Sequence, residues 1–132
     1  MSRRPHFLEP LLKSGCATQT LGLQRTGSTL AGSIELASES KDRTRGLLGR
    51  ESLAVGSVLI IAPCNAVHTF FMRFTIDVVF ANRDGQVLKV CRHLKPWRIG
   101  AALSAFAALE FPAGLADRMG IVKGDRIEVA QK

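Results

Sequence analysis

The 132-residue sequence predicts a mostly β fold: a single small antiparallel β-barrel or sandwich with one or two short helices. Two observations carry that reading. Short runs rich in Val, Ile, Phe and Thr recur along the chain, and Gly, Asp or Asn signals separate most of them, the cadence of an all-β sandwich or barrel. Hydrophobic residues at 46% and charged residues at 22% are ordinary for a chain that folds around one core, and this length needs no disulfide or metal staples.

Taken in order, residues 1–20 lack periodicity and are expected to form a loose N-terminal arm, leaving 21–132 as one β domain. "LGLQRT" and "STLAGSIELA" supply the first strands. "SESKDRTRGLLGR" is the clearest helical segment: Ser38 or Ser40 can cap it, Glu39 and Asp42 suit its N-terminal end, and Gly46 or Gly49 can close it. "GSVLIIA" and "AVHTFFMRF" follow as strands. "IDVVFANRDGQVLKV" is a hairpin, with Gly85 free to take the positive φ that a reversal through Asn82-Arg83-Asp84-Gly85 requires. "AFAALEFPA" and "DRIEVAQ" are the last strands, separated by a short helix or turn in "GLADRMG" that Gly120 ends.

Eighteen Lys and Arg against eleven Asp and Glu give a net charge of +7, which favours anionic partners through long-range attraction. The basic residues are dispersed, and no nucleic-acid-binding pattern accompanies them. The segment from Lys89 to Arg98 is the strongest local candidate for nucleic acid, because Lys89, Arg92, Lys95 and Arg98 surround Trp97. Three cysteines are too few for a disulfide framework and point to a reduced compartment. The N-terminal segment lacks the continuous apolar stretch of a signal peptide, and no window is long enough to cross a bilayer. A cytoplasmic protein without a membrane span is expected, with export left open.

The stretch "PCNAVHTFFMRFTIDVVF", residues 63–80, concentrates polar chemistry inside an apolar run. A straight strand would place His68, Phe70, Met72, Phe74, Ile76, Val78 and Phe80 on one face. Arg73 and Asp77 would then lie roughly 13 Å apart. They meet only where the chain bends, and a bend just past Met72 is expected. Cys64 and His68 raise the same geometric question. Contact between them would make a candidate nucleophile pair, with Asp77 as a third group, for a hydrolase or transferase. With Cys91 and His93 they could surround zinc, but C-x₃-H and C-x-H match no common zinc spacing, so neither metal nor cofactor is expected. Glu110, set between Leu109 and Phe111, needs a cationic or hydrogen-bonding partner, or else must bind a proton.

"RTRGLLGR", "HTFFMRFTIDVVFANRDGQVLKV", "ALEFPAG" and "GIVKGDRIEV" together resemble the family termed domain of unknown function 192, in the right order from about Ser33 to Val129. The resemblance implies a small, mostly β domain of barrel or sandwich type with a short helix near its start. Phe71, Met72, Arg73 and Ile76-Asp77 occupy the places of the family's typical motif, and Gly46, Arg50, Glu110, Gly114, Gly124 and Asp125 fall on recurring positions. Thr75 stands where many relatives have proline, and Leu48 where many have methionine. No activity comes with the resemblance.

No complete catalytic constellation can be named, so the expected function is that of a non-enzymatic binding domain for a small anionic ligand or a protein partner. Its site is expected at a cleft near residues 71–77. Arg73 and Arg98 would hold the charge, Phe71, Met72 and Trp97 would line it, and Asp77 and Glu110 would complete it.

Overall fold

A computed structural model describes residues 4–132. In chain order the elements are α1 (Glu9–Ser14), β1 (Gln19–Leu23), β2 (Thr29–Ala31), β3 (Ser33–Ala37), α2 (Ser40–Arg45), β4 (Ser57–Ile61), β5 (Ala66–His68), β6 (Ile76–Ala81), β7 (Val87–Leu94), β8 (Ile99–Ala101), β9 (Ala107–Pro112), α3 (Leu115–Met119) and β10 (Ile127–Gln131). They form a five-stranded sheet in the order β3-β4-β9-β6-β7, a three-stranded sheet in the order β10-β1-β2, and a two-stranded pair, β5-β8. The first and last strands lie side by side, with Gln19 opposite Gln131.

The five-stranded sheet is covered on both faces, which explains why β4, β6 and β9 read as nearly unbroken apolar runs. Every residue of β6 is buried. Val58, Ile60, Val79, Leu109 and Phe111 project into a core shared with Leu21, Leu23 and Ile127 of the three-stranded sheet, with Leu8 and Leu11 at α1, and with Leu115 and Ala116 of α3. The alternate residues Leu59, Ile61, Ile76, Val78, Phe80 and Ala108 meet a second, smaller core closed by Leu47, Val67 and Met72.

The mostly β class stands, and its finer description changes in three ways. The strands form separate ladders rather than a closed barrel. They are not all antiparallel, because α2 carries the chain across so that β3 and β4 pair in parallel, Ser33 opposite Ser57 through Ala37 opposite Ile61. There are three short helices among the described residues, not one or two. The third falls in the segment expected as a loose arm: Pro10 lies in the first turn of α1, where its missing N–H does no harm, and Leu8 and Leu11 are buried. The first three residues of that expected arm lie outside the described residues.

The hairpin forms where expected. Asn82 Oδ1 accepts from the N–H groups of Asp84 and Gln86, each at 3.0 Å, and Gly85 turns with φ +84°. A Cβ at Gly85 would collide with the Ile127 carbonyl oxygen, so the position needs glycine for space as well as for φ. Helix α2 starts after Glu39 without a side-chain cap from Ser38 or Ser40, and it ends at Gly46.

Candidate functional site

The expected bend in the 63–80 stretch exists. Strand β5 stops at His68, a seven-residue connection follows, and β6 begins at Ile76. The polar groups around it do not converge. Arg73 points outward and pairs with Glu51 at 3.3 Å, both side chains well exposed. Asp77 is fully buried on the other side of the sheet. Its carboxylate accepts from the N–H groups of His93 (2.9 Å), Gly114 (3.1 Å) and Ala116 (2.9 Å). The last two open helix α3, whose own N-cap, Gly114, has no side chain to offer. Asp77 thus caps a helix from across the fold.

Glu110 faces away from Asp77. It is 3% exposed, and its Oε1 is the only buried side-chain nitrogen or oxygen among the described residues without a hydrogen-bond partner. Burial pushes its carboxyl up to about 7, against a smaller pull downward from the Arg50 guanidinium. Arg50 is already committed: its guanidinium forks onto the Glu35 carboxylate at 2.9 and 2.8 Å, which holds Glu35 below the usual carboxylate range.

Glu110 lies at a cavity of about 60 Å³ lined also by Arg43, Arg45, Cys64, His68 and Met72. Apolar walls come from Leu47, Leu48, Ile61 and Val67. Gly46 closes one side with φ +49°. A Cβ there would lie 3.9 Å from Glu110 Oε1 and 3.8 Å from Ile61, so glycine serves the backbone conformation and leaves the cavity its room. A polar groove of about 410 Å³ adjoins beyond Arg45 and Gly46, bordered by Glu35, Asp42 and Arg50.

Cys64 and His68 both reach this cavity, yet each side chain is engaged elsewhere. The Cys64 thiol donates to the Ala66 carbonyl at 3.1 Å, and His68 Nδ1 accepts from the Phe70 N–H at 3.3 Å. Burial, aided by Glu110, pushes the Cys64 thiol up, against the Ala66 bond and Arg43. That is the reverse of what an activated thiolate needs. All three cysteines are free thiols. Among the described residues no group of three or more His, Cys, Asp or Glu side chains is placed to hold a metal ion.

Phe71, Trp97 and Arg98 gather at a separate place, the outer tip of the β5-β8 pair. Thr69, wholly buried, ties the two loops there. Its hydroxyl donates to the Lys95 carbonyl at 2.6 Å and accepts from the Arg98 N–H at 2.9 Å. Its own N–H donates to the Arg98 carbonyl at 2.8 Å, and its carbonyl accepts from the Met72 and Trp97 N–H groups at 3.1 and 3.0 Å. Phe71 and Trp97 both adopt positive φ, +67° and +64°, a rare conformation for bulky residues. Their rings meet at 4.6 Å between centroids, and Phe70 stacks on Trp97 at 5.7 Å. The predicted cleft is thus divided between an exposed aromatic knob and the Glu110 cavity, which keeps Met72. The role of Thr69 has no local signal in the sequence, and neither does the place of Arg43 and Arg45 at the cavity.

Fold and geometry define a small two-core β domain with one buried, unpartnered carboxyl at a small cavity. The chain belongs to the DUF192 family, described as uncharacterized ACR, whose model matches residues 22–129. It is 33% identical over 104 residues to a UPF0127 protein of Pyrococcus abyssi, covering 74% of this chain and 86% of that one. A UPF0127 protein of Thermococcus sibiricus is 30% identical over 107 residues, 77% of this chain and 69% of its own length. The chain spans only 54% of a Pyrococcus furiosus relative, at 38% identity over 64 residues. A crystal structure of a protein of unknown function from Novosphingobium aromaticivorans superposes with a TM-score of 0.72 at 25% identity, covering 84% of this chain and 83% of that one. A candidate transcription regulator from Sinorhizobium meliloti superposes with a TM-score of 0.75, covering 97% of this chain and 98% of that one. At 20% identity that is a likeness of fold alone.

Proposed function

We propose that this chain is a non-catalytic binding domain for a small anionic ligand, and that the ligand sits at Glu110 rather than in a cleft around residues 71–77. The observation that carries the reading is the unpartnered, buried Oε1 of Glu110 facing a cavity that Arg43 and Arg45 also line. A protonated Glu110 donates one hydrogen bond to an anionic oxygen, and the guanidinium groups balance the charge. The volume, about 60 Å³, is roughly that of two waters and matches a carboxylate headgroup. The rest of such a ligand would extend into the adjoining groove toward Arg50. Gly46, Met72 and Glu110, which the resemblance puts on motif or recurring positions, all border the cavity.

Titration with propionate, followed by methyl NMR of Met72, Leu47 and Val67, tests the proposal. Only the protonated form of Glu110 is competent, so binding at pH 6 should exceed binding at pH 8 by about tenfold. Glu110→Gln, a permanent donor, should remove that dependence. Methyl signals that ignore propionate at pH 6 would refute it.

A further inference from the structure

The aromatic knob is unconnected with the chemistry of Glu110 and carries its own inference. Phe71 is 72% exposed, Trp97 55% and Ile99 67%, so three large apolar side chains crowd one tip of the molecule. Their exposure is built in. Thr69 holds the two loops by bonds to residues 72, 95, 97 and 98, and both aromatic residues occupy strained backbone conformations that a relaxed loop would abandon. Lys95 and Arg98, both exposed, flank Trp97 in the chain, and Arg73, also exposed, is paired with Glu51 at 3.3 Å. The Arg98 guanidinium folds back onto the Pro96 and Trp97 carbonyls, at 3.2 and 3.4 Å, which keeps its charge at the loop that carries Trp97.

We infer that this knob docks on an anionic lipid surface, with Phe71 and Trp97 entering the headgroup region while Lys95 and Arg98 meet lipid phosphates. Charge complementarity names the occupant. A chain of net charge +7 approaches anionic lipid favourably, and the exposed Lys95 and Arg98 stand in the loop that carries Trp97. Shape agrees, because a protruding wedge needs a partner that yields around it, and a fluid bilayer yields without a preformed pocket. Tryptophan and phenylalanine flanked by Lys and Arg are the side chains that settle at a membrane interface. Binding would be peripheral: no helix among the described residues is long and apolar enough to cross a membrane.

Trp97 is the sole tryptophan, so the chain reports on its own knob. Full-length protein is mixed with vesicles of phosphatidylglycerol and phosphatidylcholine, or of phosphatidylcholine alone. With the anionic vesicles the emission should move to shorter wavelength and the protein should cosediment, and both effects should fade at about 0.5 M salt. Brominated acyl chains should quench Trp97, a readout that needs no variant. Phe71→Asn suits the positive φ and should keep the fold, checked by circular dichroism, while weakening vesicle binding by at least about tenfold. Absence of a shift and of quenching with anionic vesicles would overturn the inference. So would undiminished binding by a folded Phe71→Asn. An emission shift with polyglutamate and none with vesicles would assign the knob to an acidic protein surface and equally overturn the lipid reading.

Discussion

Asp77 and Glu110 are buried in adjacent strands of one sheet, one register step apart, and therefore point to opposite faces. Asp77 pairs with Phe111, and Val78 with Glu110. A single step reverses the side of a strand on which a side chain lies, so the two acids cannot join one site. The first caps α3, and the second keeps an unpartnered oxygen at the cavity.

Removing the Asp77 carboxylate strands three N–H groups, those of His93, Gly114 and Ala116, in the interior. Asp77→Ala should cost about 3 kcal/mol or more in urea unfolding, with amide exchange at Gly114 and Ala116 accelerating first. A loss under about 1 kcal/mol would show that water replaces the carboxylate.

Glu110 should make stability fall as pH rises. Its folded value, about 7, lies above the ordinary 4.5, so between those values the native state keeps a proton that the unfolded chain releases. The penalty is absent below about 4.5, grows through that window, and is complete above about 7, where it amounts to about 3 kcal/mol. Glu110→Gln should flatten this slope, so thermal unfolding should favour the variant increasingly between pH 5 and pH 8. Parallel pH profiles for the two proteins would mean that Glu110 is solvated in solution.

Thr69→Val keeps the shape of the side chain and deletes its hydroxyl bonds to Lys95 and Arg98. A loss of about 1–2 kcal/mol is expected. Trp97 fluorescence anisotropy should fall as well, because the loop carrying the ring is released. Unchanged anisotropy would place the restraint on Trp97 in its stacking with Phe70 and Phe71.

The features legible in the sequence are those whose causes are local. The hairpin was visible because Asn82 and Gly85 act within four residues of each other. Glu110 stood out as an acid amid apolar neighbours. The features that escaped depend on distant partners. Asp77 meets Gly114 and Ala116 from 37 and 39 positions away. Nothing near Arg73 indicates that Glu51 will meet it at the surface. The parallel β3-β4 pair was hidden for a related reason: cap residues reveal a helix but not the direction in which the chain leaves it. Helix α1 is too short for its periodicity to register, and burial of Leu8 and Leu11 against the core holds it in place.

Because Gln19 faces Gln131 across β1 and β10, and Lys132 donates to the Thr18 carbonyl at 2.9 Å, a pull applied to residues 18 and 132 would act on a single rung of that ladder. Its bonds would part in succession, like a zip, at low tension. The central sheet would feel the load only after β1 and β10 had peeled apart.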